Sequence, residues 1–471
     1  MSVFLTGPLE LKNQYEDDQV LQRFLKDNIS SENFDHIATD LNRFGERVIS
    51  DILEVAEQAE METPRIKNDE LILSPAWRKL HDISAEEGLI SIGYQEKFGK
   101  DARIYQFAKK YLFNSSSAYF SCPLAMTDGA LKLLKEYDPH TFNAEISHLL
   151  SNAPEEFWTS GQWMTEKNGG SDVSNTETIA KKESNQWKLY GTKWFTSAIG
   201  SEMALALAKP EGENKLQLFF VKLRDDQGVL NNIKILGLKN KMGTKALPTA
   251  ELELQGTIAT PIGEVGEGIK LISTQFNVTR IHNALECVSS MRRQLVLLKD
   301  YSNKRMAFGQ RLSDLPLHTQ LIEELEQEFT ACFKFTFFAV KLLGVSEQGE
   351  SREERENAEK LLRVITPLLK LFTAKKNISF SSEVIEAFGG VGYIEDSGIP
   401  KFLRDGQVLS IWEGTTNVLA LDFLRAIKKE GAQCLSPWLE EDEIESLQNI
   451  EQKEARKVSL QMAKRISSSL Q

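Results

Sequence analysis

The hydrophobic period of this chain changes twice, and that alternation limits its architecture more than any single motif. In the first part, apolar residues recur every three or four positions. Phe34, Ile37, Leu41, Phe44, Val48 and Leu53 fall on one broad helical face, which predicts a helix from Asn33 to about Glu60 capped by Ser30-Ser31-Glu32. Residues 61–84 read as looser, with Pro64 and Pro75 as breakers. From about 156 to 262 the period shortens. Met203–Ala208 and Leu216–Val221 read as buried strands, and Glu251-Leu252-Glu253-Leu254 alternates cleanly. Short strands separated by turn residues predict a small antiparallel β domain or barrel. From Gly266 the helical period returns, with long candidates at 267–304, 314–345 and 352–376. The reading is therefore mainly α with a central β domain: an N-terminal helical domain over 1–155, a middle β domain over 156–262, a C-terminal helical bundle over 263–427 and a helical tail over 428–471. A chain of 471 residues has room for these cores.

Charge narrows the function classes. The formal charge is −12, which argues against broad electrostatic binding to nucleic acid. Cys122, Cys287, Cys332 and Cys434 are widely spaced, and the six histidines are scattered, so no metal site is expected. Met1-Ser2-Val3-Phe4-Leu5 lacks a basic start followed by an apolar core, and no apolar run approaches the ~20 residues of a membrane span. A soluble cytoplasmic enzyme is the expectation.

Phe402–Asn417 is the stretch with the most chemical content. An apolar run leads to Trp412, then Glu413 stands beside Gly414, Thr415 and Thr416. Thr415 or Thr416 suits a helix N-cap, Val418, Leu421, Leu424 and Ile427 mark one face, and Lys428, Lys429 and Gly431 mark its end. Glu413 is either a general base beside apolar side chains or an ordinary solvated loop acid, and the second is the commoner outcome for such a residue. In the β region, Gly161–Asp172 ends in a Gly-Gly-Ser-Asp turn whose amides and hydroxyls suit a polar cofactor, although the same residues are ordinary turn chemistry. Gly191–Ser197 follows, with aromatics flanked by hydroxyls.

Taken together, these segments resemble the acyl-CoA dehydrogenase family. Met164-Thr165-Glu166 followed by Gly170-Ser171-Asp172 resembles its flavin-binding strand and turn, and Gly191-x-Lys193-x-Phe195-Thr196-Ser197 its second flavin strand. Gly266-Glu267-Gly268 and Thr279-Arg280 resemble the opening of its C-terminal domain. Arg305-x-x-Phe308-Gly309, Gly389-Gly390-x-Gly392-Tyr393, Arg404-Asp405 and Trp412-Glu413-Gly414-Thr415 complete the set in order. Trp412 and Met291-Arg292-Arg293 point to the AidB-type, alkylation-response branch.

The resemblance implies a helical domain, a β-barrel-like domain and a helical bundle, with FAD between them, in a homotetramer. It implies that Met164, Thr165, Gly170 and Ser171 line the flavin ring, with Trp194 and Thr196 on its other edge. Arg305 pairs with the pyrophosphate, and Phe308 packs near adenosine, on a neighbouring subunit. Gly389 and Gly390 allow close backbone approach, and Thr415 and Asn417 touch the cofactor. Ser171, Asn277, Arg280 and Trp412 belong to the acyl-CoA site, Asn277 and Arg280 at or beneath its mouth. Glu413 removes the α-proton of the thioester while the β-hydrogen leaves as hydride; no metal takes part. Electron-transfer flavoprotein or oxygen reoxidises the flavin. Departures stand at Glu386, Ala307, Pro316, Lys245, Ala246 and Trp412, where the family favours other residues. The alternatives are a DNA-binding or otherwise non-catalytic flavoprotein of the AidB type, and an acyl-CoA oxidase. The tail mixes Lys428, Lys429, Lys453, Arg456, Lys457, Lys464 and Arg465 with Glu440, Glu441, Asp442, Glu443, Glu445, Glu451 and Glu454, which disfavours a DNA clamp.

Overall fold

The structure is a computed structural model that describes residues 7–68, 70–225 and 227–470. The Met1–Leu5 stretch read above for a leader lies outside them. Helices α1 (Gln19–Asn28), α2 (Ser31–Arg47) and α3 (Asp51–Met61) precede a hairpin of β1 (Arg65–Lys67) and β2 (Glu70–Ile72). Helices α4 (Pro75–Glu86), α5 (Asp101–Asn114), α6 (Ser121–Tyr137) and α7 (Asn143–Leu149) follow. Next come β3 (Ser160–Trp163), β4 (Ile179–Glu183), β5 (Gln186–Ser197), β6 (Met203–Pro210), β7 (Gln217–Lys222), β8 (Ile233–Leu238) and β9 (Thr249–Ile262). Helix α8 (Gly268–Lys304), a hairpin of β10 (Met306–Ala307) and β11 (Gln310–Arg311), then α9 (Pro316–Gln348), α10 (Arg352–Phe388), α11 (Ile399–Leu409), α12 (Thr416–Glu430), α13 (Glu441–Gln448) and α14 (Ala455–Ser469) complete it.

These elements form two compact units. One comprises residues up to Leu53, Ile92–Ser116 and Arg280 onward; the other comprises Glu54–Ser91 and Ser117–Thr279. By packing, the residues read as an N-terminal domain over 1–155 are shared between the two units. The division follows packing. Helix α5 is buried along its whole length and packs on α9, with Tyr111 edge-on to Phe333 at 5.5 Å. Phe333 stacks on Phe337 at 4.4 Å, and Phe24 of α1 reaches Phe337 at 5.1 Å. Helices α6 and α7 instead serve the β unit: Thr127 Oγ1 accepts from the Ser160 amide at 2.9 Å, and Phe142 meets Phe220 at 5.4 Å.

The helix expected over 33–60 is broken at Val48–Ser50. Ser116 Oγ donates to the Val48 carbonyl at 2.5 Å, the acceptor that an unbroken helix offers to residue 52. Pro75 starts a helix rather than breaking one. It occupies the first turn of α4, and Ser74 Oγ caps the Trp77 amide at 3.0 Å. Pro316 opens α9 in the same way. Within α9, an 18-residue window of mean hydropathy 1.4 is long and apolar enough to cross a membrane, contrary to the sequence reading. Just over half of it is buried, because its aromatics are the Phe333–Phe337 core.

In the β unit the sheet order is β3-β6-β4-β5-β9-β7 with β8 on β9, and a further β6–β7 pairing closes it on itself. Strands β3 and β4 run parallel to β6, so the expected all-antiparallel pattern holds only for the other pairs. Trp163, Leu189, Ala204, Ala206, Phe219, Val221, Leu252 and Leu254 fill the interior. Each large side chain so buried contributes about 1.5–3 kcal/mol.

Candidate active site

Glu413 lies where α11 gives way to α12. The Ile411 and Trp412 amides still bond to the Val408 carbonyl, at 2.8 and 2.9 Å, so the helical turn runs on to Trp412. Glu413 then adopts φ +57° and Gly414 φ +106°. Glycine tolerates this region, whereas a glutamate held there is strained. Thr415 is the N-cap of α12 by position, but its hydroxyl makes no capping bond. The helix ends as read, with Gly431 at its C-terminus.

Two buried cations fix the turn. Arg280 of α8 donates from Nε to the Glu413 carbonyl at 3.1 Å, and Lys370 of α10 donates from Nζ to the Gly414 carbonyl at 2.7 Å. Arg280 is itself held by Asp422 of α12, Nη1 to Oδ2 at 2.6 Å, and Arg363 Nη2 reaches the other oxygen of Asp422 at 2.7 Å. Burial pushes the Asp422 carboxyl up, but the two guanidiniums outweigh it and hold it below the usual carboxylate range. Burial pulls Lys370 down to about 7, against the opposing pull of the Cys287 thiol and the Glu413 carboxylate. Glu413 and Trp412 are half-buried. Arg280, expected at or beneath a CoA mouth, is a buried support of the Glu413 turn. Lys370 is a functional candidate that the sequence reading missed; a lysine among Leu368, Leu369, Leu371 and Phe372 was the available signal.

The same unit carries further residues read from the sequence. Arg305 follows the end of α8, and among the described residues its guanidinium makes no ion pair or side-chain hydrogen bond. Phe308, at the tip of the β10–β11 hairpin with φ +52°, is 93 % exposed. At Gly389 and Gly390 a Cβ atom meets nothing within 4 Å, so this backbone lies open. Asn417 is exposed, and its Oδ1 accepts from Arg456 of α14 at 2.7 Å. A free guanidinium, an open diglycine and an exposed aromatic are donors and surfaces that suit a dinucleotide's pyrophosphate and base.

The β unit holds the other residues read from the sequence. Met164 is buried, Thr165 half-buried, and Gly170 and Ser171 are exposed in the turn. Asp172 caps that turn, accepting from the Ser174 amide at 3.0 Å. The turn is anchored by Glu166. Its Oε1 takes bonds from Lys193 Nζ and Thr178 Oγ1, each at 2.6 Å, and its Oε2 takes one from the Glu177 amide at 2.6 Å. Burial raises the Glu166 pKa, but Lys193 and these donors lower it on balance. The backbone joins this turn to β5, with the Trp194 amide donating to the Thr165 carbonyl at 2.9 Å.

Trp194 and Thr196, expected on the far edge of a flavin ring, differ in exposure: Trp194 is half-buried and Thr196 buried. Lys239 and Lys167 lie over the Trp194 ring at 3.2 and 4.7 Å, and Thr196 is fully buried with its hydroxyl donating to Ala250 O at 2.7 Å. Strand alternation sends Phe195 outward instead, 54 % exposed. That alternation was readable in the sequence. Asn277 of α8 is half-buried.

Three family descriptions match the chain. Residues 266–428 match the acyl-CoA dehydrogenase C-terminal domain, 161–257 the acyl-CoA dehydrogenase middle domain, and 5–155 the N-terminal domain of adaptive response protein AidB. Acyl-CoA dehydrogenase family member 11 of Caenorhabditis elegans is 46 % identical over 443 residues, 89 % of this chain and 71 % of that protein. The putative acyl-CoA dehydrogenase AidB of Escherichia coli is 31 % identical over 374 residues, 77 % of this chain and 67 % of that protein. The crystal structure of C. elegans ACDH-11 in complex with C11-CoA matches at TM-score 0.91 and 40 % identity, over 99 % of this chain and 88 % of that one. A Bacillus anthracis acyl-CoA dehydrogenase complexed with FAD shares the fold at TM-score 0.74 and 19 % identity, over 98 % of this chain and 84 % of that one.

Proposed function

The chain belongs to the acyl-CoA dehydrogenase family, on its AidB-like branch, and from that premise we propose that it binds FAD and dehydrogenates an acyl-CoA thioester with Glu413 as the α-proton base. The observation that carries the assignment is the Glu413 turn. A strained carboxylate-bearing residue has its own carbonyl and the next one tied to buried cations. Such strain persists only where its surroundings over-determine it, as at functional sites.

The residues present fit FAD. Arg305 supplies a cation, unpaired among the described residues, for the pyrophosphate, Gly389 and Gly390 an open backbone, and Phe308 an aromatic face for the adenosine. Phe195, Thr165 and Ser171 offer an apolar surface and hydroxyls for the ring, and Thr415 and Asn417 further polar contacts. Bound FAD supplies the acceptor for the two electrons that leave with the β-hydrogen.

The chain's own residues do the remaining work. Glu413 takes the proton from the α-carbon, whose acidity comes from the thioester carbonyl. The Glu413 backbone N–H donates to that carbonyl as negative charge builds on its oxygen. Arg280 and Lys370 hold the backbone carbonyls of the turn that carries the carboxylate, so little is lost to reorganisation of that turn. Trp412, directly before the base, shapes the acyl pocket, with Ser171 and Asn277 contributing polar contacts to the substrate. The complex of C. elegans ACDH-11 with C11-CoA supports a medium-length acyl chain as the starting point for substrate screening. A homotetramer, a cytoplasmic location and reoxidation by electron-transfer flavoprotein or oxygen belong to the same reading; the exposed Phe308 supports the first.

The test is anaerobic titration of the purified yellow protein with acyl-CoAs of graded length. Wild type bleaches with its preferred chain. Glu413→Gln retains FAD and acyl-CoA binding and loses bleaching by about a thousandfold or more. Unchanged bleaching in that variant removes Glu413 from the reaction, and protein that cannot be loaded with FAD removes the cofactor assignment.

A further inference from the structure

Lys370 is fully buried on α10, and among the described residues its ammonium forms no salt bridge with a carboxylate. Its side-chain bond is to a neutral acceptor, the Gly414 carbonyl at 2.7 Å. An ammonium is strongly hydrated in water, so burying one in this way costs folding free energy that a methionine of similar length does not. Its location suggests what offsets that cost. Glu413 and Gly414 are consecutive left-handed residues, and the carbonyl of each ends on a cation, Arg280 for the first and Lys370 for the second.

The two cations differ in their company. Arg280 is ion-paired with Asp422, which it shares with Arg363. The charge of Lys370 acts on the Glu413 carboxylate. Its other titratable or charged neighbours are Cys287 and Arg280 of α8 and Lys375 of its own helix, and Glu286 acts in turn on Cys287. Burial pushes the Cys287 thiol up to about 12, and Glu413 is the carboxylate among the groups that act on Lys370.

We propose that Lys370 is a positioning residue for the dehydrogenation: it locks the Glu413–Gly414 turn through the Gly414 carbonyl and gives the Glu413 carboxylate a buried counter-charge. The proposal rests on Glu413 being the base. A charged Lys370 favours ionised Glu413. When Glu413 takes up the substrate proton, that attraction disappears and the ammonium loses its counter-charge. Burial brings Lys370 down to about 7, so its charge is present below neutral pH and is lost as the pH rises through that value.

Two substitutions separate the parts. Lys370→Gln keeps a donor for Gly414 and removes the charge; Lys370→Met removes both. Each FAD-loaded variant is compared with wild type for the limiting rate of flavin bleaching and for acyl-CoA affinity, from about pH 5.5 to 9. Loss of the positive charge makes Glu413 easier to protonate. The acid limb of the bleaching rate therefore moves to higher pH by about one unit in both variants. In Lys370→Met the limiting rate at neutral pH falls at least about tenfold further, while acyl-CoA affinity changes by less than about threefold. Hydrogen exchange at the 411–416 amides, followed with and without FAD, speeds up in Lys370→Met and much less in Lys370→Gln. If Lys370→Met does not fold, the limb shift in Lys370→Gln alone decides. A pH profile that superimposes on wild type overturns the proposal, as does a loss confined to acyl-CoA affinity or FAD retention. Glu413→Gln distinguishes the two readings. Bleaching that survives in it removes the base itself, whereas abolished bleaching there with an unmoved profile in Lys370→Gln removes only the role of the lysine.

Discussion

Asp422 Oδ2 lies 2.6 Å from Arg280 Nη1, so a carboxylate on α12 sets the position of a guanidinium whose Nε holds the Glu413 carbonyl. Substituting Asp422 therefore acts on a residue it does not touch. Asp422→Asn leaves Arg280 and Arg363 without their shared anion. Breaking such a largely buried pair is expected to cost about 3 kcal/mol in denaturant unfolding and to slow bleaching at least about tenfold with FAD still bound. The pH dependence has a definite sign. The folded pKa of Asp422 is lowered, so its stabilisation is fully present above the ordinary value of 3.8 and is lost as the pH falls through the folded value. Acid unfolding of Asp422→Asn should accordingly be less steep in that window. Equal steepness in both proteins counts against the pair as a stabilising element.

Glu166 and Lys193 make the corresponding prediction for the β unit. Their 2.6 Å pair is buried, and Glu166 also gathers Thr178 and the Glu177 amide. Glu166→Gln leaves the Lys193 ammonium buried beside a weaker acceptor, and a loss of about 3 kcal/mol is expected. The double variant Glu166→Gln/Lys193→Met should recover part of that loss, because no charge is then left unpaired. A strictly additive double-mutant cycle shows the pair to be energetically idle.

Phe195 is the ring-facing aromatic on this reading, and Trp194 is not. Phe195→Ala is expected to weaken FAD binding by about tenfold and shift the flavin absorption bands, since it removes an exposed apolar face without emptying a core. Trp194→Ala instead removes the platform under Lys239 and Lys167, and should lower the melting temperature with little effect on the bound-flavin spectrum. The reverse pattern returns the ring contact to Trp194.

The outward turn of Phe195 is one measure of how far the sequence reading reaches. Helix–strand–helix order, the three long helices of the C-terminal part and the Glu413–Gly414 turn were legible, because period and glycine chemistry are local. The alternation that turns Phe195 outward is also local; the motif resemblance drew attention to its neighbours instead. What was not legible depends on distant partners. The break at Val48 needs the Ser116 hydroxyl, and the split of the N-terminal region needs α5 to find Phe333. Lys370 and Gly414 are 44 positions apart, so no spacing rule joins them. The tail is similar. Its mixed charge reads as solvated, yet Arg456 is bonded to Asn417 and Arg465 to Glu443. With acids and bases mixed along the tail, no gel shift is expected at physiological salt.

Arg305 tests the cofactor site with little structural side effect. Its guanidinium has no ion-pair partner among the described residues, and the residue is half-buried at the end of α8. A cation there interacts favourably with the helix C-terminus by only a few tenths of a kcal/mol, so Arg305→Ala should leave the unfolding of the FAD-free protein within about 0.5 kcal/mol of wild type. Its contribution to a bound pyrophosphate is larger. A charge-assisted hydrogen bond to phosphate is worth about 1.5–3 kcal/mol, which corresponds to a loss of about ten- to a hundredfold in FAD affinity by flavin fluorescence. Arg305→Lys keeps the charge and loses the planar fork, so it should recover only part of that affinity, and the recovered part should weaken with added salt. A Kd for FAD that is unchanged in Arg305→Ala places the pyrophosphate elsewhere and removes Arg305 from the site.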